Sequence, residues 1–558
     1  MIVLRRISTV KFTSFTAFRS DSRLLSDISA DKSKPLQITS PVFYVNAVPH
    51  IGHLYSAVIA DTLKRWYEFK GHTTIYSTGT DEHGLKIQEA AKKANADPKD
   101  FCDKISEKFK ILFDSANISY TRFIRTTDSD HYLAKTLVEK GFIYKGNHEG
   151  WYSISDETFY PATQVESQVD QKTGKTIVIS KESGKVVEWT AEENYKFKLE
   201  LVREKLIQWL QENPEAIIPK AQYNNIMNSL TSTDNALSDI SVSRPTTRLK
   251  WGIPVPGDPS HVIYVWLDAL TNYLTVAGYP WPSNDDNTLA ASSWPARWHI
   301  VGKDIIKFHA IYWPAFLIAA GLPPPTQILS HAHWLQNKSK MSKSLGNVTD
   351  PHQLIKQFGV DPVRYFLIRD GGIEHDVDFS EEMVLKRYRE LGNQLGNLAL
   401  RCSGAKVNAK QSIPIGLGAS GISGDEEILV KMLNSVRDEA TLRIESGQFG
   451  RGLESVINVL SEANRYWDHQ KPWILASKSL NGDLQAREKL QTALYMCFET
   501  VRVSSLLLQP VMPNKMGILL DWMKVKIADR IWDKAVFNTS HRVSAVGLNK
   551  LEALFPKL

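Results

Sequence analysis

Cysteine is scarce in this 558-residue chain: Cys102, Cys402 and Cys497 are the whole complement, and they lie far apart. That excludes a disulfide framework and any Cys-x-x-Cys metal knuckle, and it points to a reducing compartment. Long apolar runs are also missing. None reaches the length of a bilayer span, so no membrane partner is expected. Charge of one sign is not in large excess; the net value of +6 permits a polyanionic partner without requiring one. Acids are absent from residues 1–20, where Arg5, Arg6, Lys11 and Arg19 sit among serines and threonines. A basic, hydroxyl-rich, acid-free start is the signature of a mitochondrial transit peptide, with a basic RNA-binding tail as the alternative. Residues 1–30 are set aside from the fold on that ground.

What is present reads as an ordinary globular chain of about three or four domains. A β-type run from Leu36 to Thr39 feeds a turn, and His50-Ile51-Gly52-His53 then opens a long amphipathic pattern. Ile51, Leu54, Val58, Leu63 and Trp66 form its inward side, and Gly71 marks its end. Two histidines in a helix's first turn would share a face beside unpaired amide N–H groups and the positive end of the dipole. Gly52 between them would leave room for a flat ligand. That is a place for phosphate, or two ordinary helix histidines. Strand Thr73–Thr78 and helices from about Leu85 and over 98–114 continue a βαβ pattern, so ligands are expected beyond the carboxyl ends of the strands.

Between about 145 and 250 the texture changes to short alternating runs such as Trp151–Ser155 and Thr176–Ser180, which predict a small mixed inserted domain. Strands are expected to return at His261–Trp266 and at Arg297–Val301, as the second half of one sheet. A helix follows from near Asp304 to about Ala320, then a strand over Gln327–Ser330. After about 380 the period is helical, with helices predicted over 381–402, 425–446, 449–468, 485–509 and 513–527. The predicted domains are a first catalytic half (35–144), an insertion (145–255), a second half (256–348), a connector (349–385) and a helical domain (386–558).

A second phosphate candidate is Lys340-Met341-Ser342-Lys343-Ser344: two lysines, hydroxyls and a mobile backbone can wrap a polyphosphate. A solvated basic loop is the alternative, weakened by the His-x-Gly-His turn upstream.

Together these two stretches resemble the signatures of class I aminoacyl-tRNA synthetases, usually written HIGH and KMSKS. From about residue 36 to 520 the chain is similar to methionyl-tRNA synthetases of the zinc-free type. The matching stretches are Thr39–Asn46, Gly79–Gly84, Tyr264–Ala269, Gly302–Ile305 and Phe308-His309. The resemblance implies an α/β fold: a Rossmann-type doubly wound catalytic domain split by an inserted connective domain, followed by a C-terminal α-helical bundle. It implies ATP, with Mg²⁺, held by His50, Gly52, His53, Lys303, Asp304, Lys340, Ser342 and Lys343. His50, His53, Lys340 and Lys343 would serve the nucleotidyl transfer itself. Asp81 would hold the methionine ammonium. Pro41, Val42, Tyr44, Trp266, Ala269, Tyr273, Phe308, His309 and Tyr312 would build the side-chain pocket. Asn397, Arg401 and Trp473 would read the anticodon of tRNA(Met), the last by stacking. The implied activity is methionine–tRNA ligation in the mitochondrial matrix.

Residues Trp151–Pro161 replace the zinc-binding cysteine knuckles that many relatives carry, so no structural zinc is expected. Asn337 stands where a glycine is common, which is tolerable because Asn accepts positive φ. The C-terminal OB-type extension of some relatives is not in the sequence, so a monomer is expected. Another amino-acid specificity, or an RNA-binding protein that has lost activation, are the competing readings.

Overall fold

β-branched and aromatic residues open the fold as β1 (Leu36–Tyr44), which runs past the expected Thr39. Its register against the next strand shifts between Thr39 and Val42, so Pro41, which has no N–H to donate, sits at an irregularity. In this computed structural model the described residues are 34–558 apart from 130, 132–140, 155–156, 161, 171–173, 182, 233–238, 282–290, 342–348, 420, 423 and 539–545. The transit-peptide segment, Ser342 and Lys343 therefore lie outside the described residues, and of Lys340 only the backbone is described. After β1 come α1 (Ile51–Phe69), β2 (Thr74–Asp81), α2 (Leu85–Lys93), α3 (Pro98–Ser115) and β3 (Arg122–Arg125). The predicted inward residues of α1 are all buried, and Gly71, at φ +86°, turns the chain after it.

The inserted segment builds β4 (Ile143–Ser153), β5 (Thr158–Tyr160), the hairpin β6 (Val165–Val169) and β7 (Thr176–Ser180), and β8 (Glu188–Phe197). It continues with α4 (Glu200–Glu212), β9 (Ile217–Ile218), α5 (Lys220–Thr231), β10 (Ile240–Ser241), β11 (Ser243–Pro245), β12 (Pro254–Val255) and β13 (Asp258–Ile263). Two features differ from expectation. β9 pairs with the main sheet, so the insertion returns an edge strand to it. The strand predicted over His261–Trp266 ends at Ile263 and pairs antiparallel with β11 and β12, not with the main sheet. Trp266 instead sits in the first turn of α6 (Val265–Val276). That helix is buried on nearly every side, and a short apolar run does not reveal whether its period is 2 or 3.6.

The second half follows as β14 (Trp298–Gly302), a 3₁₀ turn (Lys303–Ile305), a π turn (Phe308–Tyr312), α7 (Trp313–Ala320), β15 (Ile328–His331) and the hairpin β16 (Trp334–Gln336) and β17 (Ser339–Lys340). The main sheet is parallel in the order β3-β2-β1-β14-β15-β9. Its strand order reverses between β1 and β14, and doubly wound sheets bind ligands at that point.

The C-terminal part contains α8 (Pro351–Phe358), α9 (Val360–Asp370), β18 (Val377–Asp378), α10 (Glu381–Leu391), α11 (Asn397–Ser403), α12 (Asp425–Glu445), α13 (Phe449–Gln470), α14 (Pro472–Leu480), α15 (Leu484–Leu508) and α16 (Pro513–Trp522). The single helix predicted over 381–402 is broken by a π turn at Gly392–Gly396, where two glycines lower the cost of irregular winding. α14 was not anticipated as a helix; Lys471, in the left-handed region at φ +49°, separates it from α13.

One buried cation fastens the helical part to the first half of the sheet domain. Arg364 on α9 donates to Asp61 of α1 at 2.6 Å, to the Val511 carbonyl at 2.8 Å and to the Ala116 and Pro510 carbonyls at 3.3 Å. Burial pushes the Asp61 carboxyl up, but Arg364, Arg65 and the Ser119 donors outweigh it and hold it below the ordinary range. The architecture is thus an α/β parallel-sheet domain, split by an insertion and followed by a helical bundle.

Candidate active site

The carboxyl ends of β1, β2, β14 and β15 open into one cavity of about 1360 Å³. Pro41, Val42, Tyr44, Asp81, Trp266, Ala269, Tyr273, Phe308, His309 and Tyr312 line it, as do His50, Gly52, His53, Lys303 and Asp304. Residues separated by more than two hundred positions in the chain are thereby brought to one place. Ser339 and Met341, on either side of Lys340, also line it, so the lysine-loop hairpin enters at its rim.

α1 begins in an unusual way. His50 is its N-cap: the His50 Nδ1 accepts the Gly52 N–H at 3.0 Å, and the His53 Nδ1 accepts the His50 N–H at 3.1 Å. The His53 N–H goes to the His50 carbonyl at 3.0 Å. The first-turn N–H groups of Gly52 and His53 are therefore already satisfied, the first by the His50 imidazole and the second by the His50 carbonyl, while the His53 imidazole takes the His50 N–H as Glu does in a capping box. The expected space over Gly52 is filled by the His50 ring, which a Cβ there would meet at 2.9 Å. The two rings lie with centroids 3.8 Å apart at the cavity wall. What this helix start offers a ligand is imidazole and the dipole, not bare amides.

Asp81 ends β2 and is buried, and its Oδ1 has no hydrogen-bond partner among the described residues. It does not cap the helix that follows: Gly84 holds the N-cap position of α2 with no side-chain bond. Burial raises the Asp81 carboxyl well above the ordinary range, and the nearby charges of Asp268 and Glu157 add to this. Asp268 itself is held by two buried histidines, His83 at 2.7 Å and His131 at 2.8 Å. Burial pushes Asp268 up, but those bonds bring its carboxyl below the ordinary range. Glu157 accepts from the Tyr44 hydroxyl at 2.7 Å and from the Lys86 N–H at 2.6 Å, and burial raises its carboxyl. Among the described residues Asp81 is thus the carboxylate of the three left without an imidazole or hydroxyl donor, and a bound cation would relieve it.

The cavity that Asp81 lines also has an aromatic wall. Trp266 and Phe308 stack with centroids 3.7 Å apart and planes 7° from parallel, and Tyr312 meets Phe308 edge-on at 5.4 Å. The His309 Nδ1 lies 3.0 Å from the Ile305 carbonyl, so it carries the proton, and Nε2 accepts from the Tyr273 hydroxyl at 2.9 Å. Burial lowers His309 to about 4, so the ring is neutral at physiological pH and suits an apolar guest.

On the wall of the same cavity Lys303 pairs with Asp376 at 2.7 Å, and Asp304 receives His333 at 3.1 Å. Asn337 and Lys338 take φ +54° and +60° in the hairpin turn, as expected of Asn at that position. Glu157, Lys86, Lys338 and Asp376 line the same cavity and were missed in the sequence. Glu157 comes from the insertion and Asp376 from the connector, and neither sits in a recognisable motif. In the bundle Asn397 and Arg401 are exposed on one face of α11, Arg401 lies 3.5 Å from Asp468 near the end of α13, and Trp473 on α14 is half-exposed.

Comparison with known proteins bears on this arrangement. A family model described as tRNA synthetases class I (M) matches residues 36–403. The chain is 42% identical over 523 residues to the probable mitochondrial methionine–tRNA ligase of Neurospora crassa, covering 91% of this chain and 82% of that protein. It is 43% identical over 514 residues to the human mitochondrial methionine–tRNA ligase, covering 88% and 84%. A crystal structure of Mycobacterium tuberculosis methionyl-tRNA synthetase bound by methionyl-adenylate superposes with a TM-score of 0.85 at 35% identity, covering 94% of this chain and 100% of that one. The chain belongs to the class I tRNA synthetases, and within that class to the methionine–tRNA ligases.

Proposed function

We propose that this chain is a mitochondrial enzyme of the matrix that activates L-methionine with ATP and transfers it to tRNA(Met). The observation that carries the reading is Asp81: a buried carboxylate whose Oδ1 has no partner among the described residues, on the wall of the cavity that the aromatic side chains line and one strand away from the histidine cap of α1. An α-ammonium supplies the missing charge partner. Trp266, Phe308, Tyr312, Tyr273, Ala269 and neutral His309 then surround a polarisable thioether, with Pro41, Val42 and Tyr44 closing the pocket from β1.

In this geometry the methionine carboxylate attacks the α-phosphorus of ATP, the bond to the β-phosphate oxygen breaks, and pyrophosphate leaves. The protein forms no covalent bond. His50 and His53, whose Nδ1 atoms accept backbone N–H groups, donate from Nε2–H to the phosphate oxygens, and Gly52 lets the His50 ring lie against the helix start. Lys303 and Asp304 hold the nucleotide from β14, and Lys340, Ser342 and Lys343 stabilise the leaving pyrophosphate. Mg²⁺ enters with ATP. A ribose hydroxyl of the tRNA terminus then attacks the methionyl carbonyl and releases AMP. Asn397, Arg401 and Trp473 bind the anticodon, and the domain division is that of the sequence analysis.

The enzyme needs no structural zinc. In the insertion the guanidinium of Arg244 lies 5.2 Å from the rings of both Tyr152 and Phe159 and 4.5 Å from that of Tyr264, a packed aromatic–cation cluster that supports this reading. Charging of tRNA(Met) by the purified protein with methionine and ATP tests the whole reading: methionyl-tRNA should form without added zinc. Binding of the tRNA without charging would contradict it.

A further inference from the structure

The connector between α9 and α10 reaches into the ATP side of the cavity. Gly372 offers its carbonyl to the Ala332 N–H at 3.1 Å and to the Tyr55 hydroxyl of α1 at 3.2 Å. Two positions matter further on. The Asp376 carboxylate holds the Lys303 ammonium at 2.7 Å through Oδ1 and 2.8 Å through Oδ2, and it also accepts the His333 N–H at 2.9 Å. The Asp378 Oδ1 accepts the Lys338 N–H at 3.0 Å, in the turn of the hairpin that leads to Lys340. β18 pairs parallel with β16, so the two carboxylates bracket that hairpin from its edge. At the other end of the connector, Asp370 is bound by Arg387 of α10 at 2.6 and 2.7 Å.

We propose that Asp376 is a positioning residue for ATP: it holds the Lys303 ammonium at the phosphate side of the cavity and fixes it to the strand that supports the lysine loop. The inference rests on the reading of the cavity as the ATP and methionine site. The pair is partly exposed, Lys303 by 38% and Asp376 by 27%, and such pairs contribute little to folding stability. Its contribution is therefore in where it places a charge. Burial pushes the Asp376 carboxyl up, but Lys303 and the His333 amide outweigh this and keep it below the ordinary range, so it stays ionised at working pH. Asp376→Asn keeps an oxygen for the His333 N–H and removes only the charge that holds Lys303. A flexible lysine that is not held loses rotamer entropy when it meets a phosphate.

The test is methionine-dependent ATP–pyrophosphate exchange by the wild type, Asp376→Asn, Asp376→Glu, Lys303→Met and the double variant Asp376→Asn/Lys303→Met. Asp376→Asn should raise the KM for ATP about ten-fold, the effect of one charge-assisted contact, and leave the KM for methionine and the melting temperature unchanged. Asp376→Glu should recover most of the ATP affinity. In the Lys303→Met background, Asp376→Asn should have no further effect. An unchanged KM for ATP, equal rises in both KM values, or additive effects would overturn the role of Asp376. Absence of exchange by the wild type would instead overturn the reading of the cavity, and the proposal with it.

Discussion

Asp81 is kept in a state that folding alone disfavours. Its carboxyl is raised by burial and by Asp268 and Glu157, and Oδ1 has no hydrogen-bond partner among the described residues. A carboxyl raised in the fold contributes stability that is present below the ordinary aspartate range. That stability is lost as pH rises through the raised value. Asp81→Asn should therefore leave the melting temperature at neutral pH unchanged or higher and flatten its dependence on pH. It should also cut methionine activation by about 100-fold or more, because a buried ammonium loses its only charge partner. A lower melting temperature with exchange intact would contradict the assignment. For the same reason methionine affinity should fall as pH is lowered through the raised range, where Asp81 takes up a proton; calorimetric titration across pH checks this. Asp81, Tyr44, Trp266 and Phe308 were legible in the sequence because each sits in a short matching stretch, and Tyr273 and Tyr312 lie close behind two of them. Glu157 was not: it lies in the insertion, and only the folded chain brings it to Tyr44 and Lys86.

At the scale of elements, the start of α1 was readable and its capping was not. Apolar spacing placed the helix, but histidine is not among the usual N-caps, so the amides of Gly52 and His53 looked free. In the structure the glycine is needed for the cap itself. Gly52→Ala puts a methyl 2.9 Å from the His50 ring and should turn that ring out of place. Exchange should drop about ten-fold or more, the loss of roughly one phosphate contact, with little change in far-UV circular dichroism. Normal exchange would show that the His50 position does not matter. The misread strand at Trp266 has a different cause. α6 is buried on nearly all sides, and the continuous apolar run Val262–Leu267 that leads into it carries no period of its own.

Across the whole molecule, long-range pairings decide what no local pattern shows. Arg364 joins α1, the end of α3 and the segment after α15 through one guanidinium. Arg364→Met takes from buried Asp61 one of its two cationic partners, leaving Arg65 and the Ser119 donors, and should destabilise the fold by about 3 kcal/mol, seen as a lower denaturation midpoint; an unchanged midpoint would contradict this. Alternating elements made the split α/β architecture and the bundle legible, whereas the return of β9 to the main sheet rests on two residues and left no signal. The bundle is remote from the chemistry, so Trp473→Ala should spare methionine activation and reduce tRNA charging. Equal loss of both would remove the anticodon assignment.

The central claim is that one cavity takes methionine at Asp81 and ATP at the histidine cap. ATP–pyrophosphate exchange by the purified protein, run with each of the common amino acids in turn, tests it most directly. Methionine should support exchange well above every other amino acid. No exchange with methionine, or faster exchange with a different amino acid, would contradict the account.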